Sequence, residues 1–270
     1  MFYNKKLFIA IVIAALAVGG FGIFQIAKAS DTYKEAEDEY VTLAEFVSAD
    51  DLDASLSNNE AEQTLVTDPI SDEKLTSSAK KLNIGELVAM NPDTVGWIYF
   101  KEGKISYPLM KDDGTNKYLK KTFSGETNAS GGIFMPKENS PYLTDKNTII
   151  YGHNMKDGSM FGSLKQIWRN GKLTDPYIYI YNLSGVNVYK VFAIYRTVDN
   201  SDVYVLPTED EAYDAYIAKA LKNNHVAGAE SKFPESRPAI ITLSTCYGTS
   251  GSNDRLVVQA FLYKTVKSQN

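Results

Sequence analysis

Three side chains able to carry out acyl transfer stand far apart in the chain: His153, Cys246 and Arg255. Cys246 is the single cysteine, and His153 is one of two histidines. A thiolate is a nucleophile, so a reactive Cys246 needs a partner that takes or neutralises its proton. An imidazole, with an ordinary pKa of about 6.5, does this and can later protonate a leaving amine. The oxyanion that develops at the attacked carbonyl needs a positive or N–H-rich spot, for which Arg255 and the backbone amides near Cys246 are the candidates. This chemistry requires no metal or other cofactor.

All three residues sit at the ends of apolar runs. His153 follows Thr148-Ile149-Ile150-Tyr151-Gly152, Cys246 follows Ile240-Ile241-Thr242-Leu243-Ser244-Thr245, and Arg255 opens Arg255-Leu256-Val257-Val258. Rigid strands aim functional groups better than loops do. From Val95 onward the pattern is of short β-rich runs between turns: 95–100, 105–110, 132–135, 148–151, 177–181, 186–198, 239–245 and 255–264. Eight such runs predict a mainly β barrel or sandwich. The alternation in 177–181 predicts a strand with its tyrosines on one face. Helical spacing appears at 31–47 (Tyr33, Ala36, Tyr40, Leu43, Phe46), 78–90, 160–168 and 209–223 (Ala212, Tyr216, Ala220, Leu221). Asn91-Pro92-Asp93-Thr94 reads as a turn ahead of a strand, Asp68-Pro69-Ile70 as linker, and His225 as a solvated residue past a helix.

Charge divides the 270 residues into three parts. Residues 1–30 hold Lys5, Lys6 and Lys28 and no acid; residues 31–75 hold 14 acids and two bases; residues 76–270 hold 23 bases and 19 acids. The basic residues of the last part are scattered, which argues against nucleic-acid binding. One cysteine excludes an intrachain disulfide framework. Residues 7–24 are continuously apolar behind Lys5 and Lys6, which predicts a membrane anchor with its N-terminal end in the cytoplasm. Ala27-Lys28-Ala29 also fits a signal-peptide cleavage pattern, but the apolar run exceeds the usual 7–15 residues of such a signal. Both readings place residues 31–270 outside the cell. The expected division is an anchor at 1–29, an acidic helix and linker at 30–77, and a catalytic body at 78–270.

Thr242-Leu243-Ser244-Thr245-Cys246, followed nine residues later by Arg255-Leu256-Val257-Val258, resembles the signature of sortases, the membrane-anchored cysteine transpeptidases of Gram-positive bacteria. Tyr151-Gly152-His153-Asn154-Met155 resembles their histidine motif, and Asn91-Pro92-Asp93-Thr94-Val95-Gly96-Trp97-Ile98 resembles the approach to the first strand in class B members. The resemblance spans roughly 80–264, and the helix expected before the cysteine strand fits class B. It implies an eight-stranded β-barrel with N-terminal helices. It implies that Cys246 attacks the carbonyl after the Thr of a sorting motif to give a thioester. His153 then acts as acid and base, and Arg255 holds substrate or oxyanion. Leu243, Thr245 and Asn154 are assigned to the substrate-binding walls, with Asn154 also placed to orient His153. The implied partners are a sorting peptide, Asn-Pro-x-Thr-like rather than Leu-Pro-x-Thr-like, and an amine acceptor from the cell wall or a pilin lysine. Two other readings compete: a secreted cysteine peptidase with water as acceptor, and a tethered β-domain in which Cys246 is buried and inert.

Overall fold

The computed structural model describes residues 32–45, 70–205, 209–249 and 251–268. The apolar run at 7–24, Ala27-Lys28-Ala29, Phe46 and Asp68-Pro69 lie outside these. Among the described residues no helix is long and apolar enough to cross a membrane.

Each of the eight β-rich runs forms a strand: β1 (Thr94–Phe100), β2 (Ile105–Lys111), β3 (Ile133–Met135), β4 (Asn147–Tyr151), β5 (Tyr177–Asn182), β6 (Gly185–Val198), β7 (Ile240–Cys246) and β8 (Asp254–Lys267). They close into one barrel in the order β1-β2-β3-β4-β7-β8-β6-β5, which removes the sandwich alternative. The pairs β2/β3 and β4/β7 are parallel, and the other pairs are antiparallel. Eight strands enclose a space that side chains can fill. Trp97, Leu109, Ile133, Ile150, Ile180, Ile194, Leu243 and Val258 belong to one continuous apolar core and are fully buried. Close strand packing forces a glycine at one point: a Cβ on Gly96 would lie 2.0 Å from the Tyr181 carbonyl oxygen on β5.

The helices are α1 (32–45), α2 (Asp72–Lys81), α3 (Ile84–Met90), α4 (Leu164–Asn170) and α5 (Asp210–Asn223). The single helix expected over 78–90 is two helices, and the first starts inside the expected linker. Capping explains both differences. The Ser71 side chain accepts from Lys74 N, with Asp72 and Glu73 in the first turn and Lys80 and Lys81 in the last, a charge order that matches the helix dipole. Asn83 then caps a new helix by accepting from Glu86 N. Leu75 is fully buried, and Lys264 Nζ donates to the Ile70 carbonyl (3.2 Å). Residues 70–77 therefore pack on the barrel. On α1, Ala36, Tyr40 and Leu43 are buried as spaced, whereas Tyr33 is 41% exposed. On α5 the buried face is Tyr213, Tyr216, Ile217 and Ala220; Ala212 is exposed, one helical position away from the stripe. His225 is exposed and stacks on Trp168.

Tyr177, Tyr179 and Tyr181 do share one face of β5, but that face is buried like the other. Burial raises the pKa of the phenols held inside the fold. It pushes Tyr118, Tyr151 and Tyr213 up to about 12, and Tyr179, Tyr181, Tyr189, Tyr195 and Tyr216 higher still. A folded-state pKa above the unfolded value means that the neutral phenols contribute stability in full below about pH 10, and that this is lost as pH rises through the folded values. Unfolding free energy should therefore hold level up to about pH 10 and fall beyond it. The absorbance of the buried phenols, the bulk of the phenolate signal, should rise together with loss of near-ultraviolet circular dichroism; ionisation of that bulk near pH 10 in an intact fold would contradict this.

Candidate active site

The placement of the three chemical groups follows from strand register. β4 and β7 run parallel, with Asn147 beside Ile240 and Tyr151 beside Ser244. Carrying that register two residues further sets His153 beside Cys246. Two bonds continue the pairing past the last strand residue: Gly152 N donates to the Ser244 carbonyl (3.3 Å), and Thr245 Oγ1 donates to the Gly152 carbonyl (2.7 Å). On the other side of β7, Cys246 is the cross-strand partner of Arg255 on β8. Tyr247 N donates to the Asp254 carbonyl (2.9 Å), so 247/254 is a hydrogen-bonded pair and 246/255 the adjoining non-bonded one. In such a pair the Cα atoms are about 4.5 Å apart and the side chains stand on one face. Imidazole, thiol and guanidinium thus occupy three adjacent strands, with the cysteine in the middle.

They open into one cavity of about 210 Å³, lined by His153, Cys246, Arg255, Thr245, Ser244 and Gly152, with Asn116, Leu119, Phe134 and Tyr151 as the remaining wall. Cys246 is exposed, which removes the reading of a buried, inert thiol. Gly152 has no room for a side chain, since a Cβ there would lie 2.6 Å from Ile133 Cδ1 and 2.7 Å from Phe161 Cγ. His153 is held at both ends. Phe161 N donates to its carbonyl (2.9 Å), and its Nε2 bonds the Leu119 carbonyl (2.8 Å).

Arg255 is steered by its own turn. Its Nη1 donates to the Ser252 and Asp254 carbonyls (2.9 and 3.0 Å), and its Nη2 to Asp199 Oδ2 (3.2 Å). The ion-pair partner is therefore Asp199, while the Asp254 carboxylate faces Arg196 (3.5 Å). Of five guanidinium N–H groups, these bonds leave two, Nε–H and one on Nη2. The Tyr247 amide is engaged in the ladder, which leaves the guanidinium as the clearer oxyanion donor. The wall opposite is uncharged: burial pushes Tyr151 up to about 12 and raises Tyr204, which stacks on Tyr151 and shares a hydrogen bond with Ser244 Oγ (2.9 Å). Besides His153, Arg255 is the one basic group among the described residues that line the cavity.

Two expected wall residues are elsewhere. Leu243 is fully buried in the barrel core, three residues further along β7 from the cavity than Cys246. Asn154 Oδ1 accepts from Lys165 Nζ on α4 (3.2 Å), so it neither lines the cavity nor reaches the His153 ring. Thr245 does line it. Sequence reasoning missed Ser244, although it stands two residues before Cys246 on the same strand face. It also missed Tyr151 in the histidine motif. Asn116, Leu119 and Phe134 carried no sequence signal, because they arrive from distant parts of the chain.

The sortase domain family matches residues 102–263, more than half of the chain. The chain belongs to the sortase family. It is 36% identical over 166 residues to sortase B of Listeria monocytogenes, a stretch covering 60% of this chain and 65% of that protein; the match thus spans just under two thirds of that relative. A solved sortase B from B. anthracis is 30% identical with a TM-score of 0.57, covering 69% of this chain and 85% of that one. A Staphylococcus aureus sortase B–substrate complex, 22% identical, shares the fold with a TM-score of 0.65, over 86% of this chain and 97% of that one. The sortase segment contains His153, Cys246 and Arg255, and ends within β8.

The Thr245 hydroxyl ties the cysteine strand to the residue before His153. Thr245→Val keeps the shape and removes the donor, leaving the Gly152 carbonyl buried and unpaired at a cost of about 1–3 kcal/mol. In a thermal melt the midpoint should drop by about 2–4 °C for each kcal/mol lost, and Thr245→Ser should melt like the parent chain. Equal melts for all three proteins would show that the bond carries no weight.

Proposed function

We propose that this sortase is a class B cysteine transpeptidase that cleaves a sorting motif of the Asn-Pro-x-Thr kind after its Thr and passes the acyl group to an amine. The observation that carries the reading is the register that sets His153, Cys246 and Arg255 side by side at one open cavity. The Cys246 thiolate attacks the threonyl carbonyl, and Arg255 stabilises the oxyanion. His153 protonates the departing amine, so the C–N bond breaks and a thioester to Cys246 remains. His153 then accepts a proton from the incoming amine, which displaces the thiolate and forms a new amide. The neutral walls of Leu119, Phe134 and Tyr151 suit the apolar parts of an extended peptide, and Thr245 and Ser244 offer hydroxyls beside the nucleophile. The substrate complex of the Staphylococcus aureus relative supports a peptide partner.

The acceptor is an amine of the peptidoglycan cross-bridge or a pilin lysine. Residues 1–29 are proposed as a single-pass anchor, residues 30–77 as the acidic connection and residues 78–270 as the catalytic body outside the cell. An outward-facing enzyme on a tether suits a substrate that is itself secreted.

The test is to incubate the protein with short Asn-Pro-x-Thr and Leu-Pro-x-Thr peptides, with and without an added amine, and to follow the thiol and the products by mass spectrometry. A Cys246 adduct should form with the first peptide, and the amide product should appear when amine is added. Cys246→Ala should abolish both while leaving the melt unchanged. Arg255→Ala should slow acylation by about 10²-fold or more, and Arg255→Lys should not restore it, since a lysine ammonium lacks the forked geometry. Hydrolysis that ignores added amine would favour a peptidase instead, and transfer by Cys246→Ala would overturn the assignment.

A further inference from the structure

The turn after β2 holds a buried acid that the reaction above does not use. Asp112 is 1% exposed, yet among the described residues its Oδ2 is buried without a hydrogen-bond partner. Its other oxygen is doubly used: Oδ1 accepts from Gly114 N (2.6 Å) and Asn116 N (2.8 Å). Burying a carboxylate with one oxygen unmatched is destabilising, so its presence marks a constraint on the turn it organises. Asn116 takes up a left-handed backbone (φ 57°), and its carbonyl accepts from Leu119 N (3.1 Å). The Leu119 carbonyl in turn bonds His153 Nε2 (2.8 Å). Three hydrogen bonds joined by the backbone of Asn116 and Leu119 therefore connect the Asp112 carboxylate to the imidazole. The far side of the turn is pinned separately, by Lys117 on Asp93 (2.6 Å) and by Tyr118 OH donating to Asp93 Oδ2 (2.8 Å).

A backbone carbonyl has no proton to give, so in the bond to Leu119 the imidazole must be the donor. Nε2 then carries its proton in the neutral as well as the cationic ring, and Nδ1 is the nitrogen left to exchange a proton. We infer that Asp112 is a positioning residue for the reaction: by shaping the 112–119 turn it holds the Leu119 carbonyl against His153 Nε2, and so directs Nδ1 to the proton transfers with the Cys246 thiol and the leaving amine. The inference rests on His153 being the acid–base group. The proton that Nδ1 accepts from the thiol or the incoming amine is the one it delivers to the leaving group, so Nε2 neither gains nor loses one.

The experiment labels the two histidines of the full chain with ¹⁵N and reads their tautomers by NMR, with His225→Gln assigning the signals. In the parent protein, neutral His153 should carry its proton on Nε2. In Asp112→Ala the two tautomers should mix, and kcat for thioester formation should fall at least tenfold with KM nearly unchanged. Asp112→Asn, which keeps an acceptor oxygen for the Gly114 and Asn116 amides, should restore the single tautomer and most of the rate. If Asp112→Ala does not fold, Asp112→Leu, of similar shape and without an acceptor, replaces it with the same expectation. A parent His153 protonated on Nδ1 would overturn the inference. So would an Asp112 variant that loses rate while His153 keeps its tautomer, since that is the signature of a role in stability alone. The tautomer reading needs no turnover, so it succeeds or fails separately from the substrate assignment.

Discussion

The parallel pairing of β4 with β7 is the constraint on which the chemistry depends. A parallel pair holds its two chains at a constant offset, so a single register choice near Asn147 and Ile240 settles what stands beside Cys246 six residues later. Side chains alternate along a strand, and a slip of one residue would turn His153 toward the other face. The antiparallel pairing of β7 with β8 then fixes Arg255 on the same side. Cys246 occupies the central strand of three and has a neighbouring strand on each side, about 4.8 Å away.

The register is enforced at the opposite end of the same strands. Thr242 Oγ1 donates to Asn147 Oδ1 (2.9 Å), Gln259 Nε2 donates to Thr242 Oγ1 (3.2 Å) and to Tyr216 OH (2.8 Å), and Tyr195 OH donates to Gln259 Oε1 (3.0 Å). This network joins β4, β7, β8 and β6 beneath α5, with Thr242 and Gln259 fully buried. A shifted register would strand these polar groups in the interior, and each unpaired one costs about 1–3 kcal/mol. Hydrophobic packing alone is more tolerant of sliding. Tyr213, Tyr216 and Ile217 of α5 cover the network on the apolar face of β6 and β8, which ties the helix before the cysteine strand to the geometry of the site.

The cavity itself is asymmetric in charge. Arg255 supplies a fixed positive group, steered by Asp199 and by carbonyls of its own turn. The remaining wall of Leu119, Phe134 and Tyr151 is neutral, since a phenol is uncharged near neutral pH, and burial moves that of Tyr151 further up, to about 12. The strands carry or adjoin His153, Cys246 and Arg255, while carbonyls of the turns at 112–119 and 247–254 bond the first and the last of them.

Much of this was legible beforehand, and the gaps have physical causes. The eight strands were readable because β-branched and aromatic runs between turn residues are a local signal. Cys246, His153 and Arg255 stood out because their flanking words are distinctive. The break at Leu82-Asn83 was missed, although Asn83 is a capping residue, because periodicity continues across it. Leu243 lies away from the cavity, and motif membership does not say how deep in the barrel a residue sits. Asn154 was misplaced because the lysine that claims it lies on a separate helix. The amino-acid order by itself determined which segments became strands and set His153, Cys246 and Arg255 at or beside strand ends, since these depend on neighbours in the chain. Only the tertiary structure decided that β4 lies against β7, that Leu119 and Phe134 wall the cavity and that Asp112 reaches the imidazole through a turn, because these contacts join residues tens of positions apart and are selected by the packing of the closed barrel as a whole.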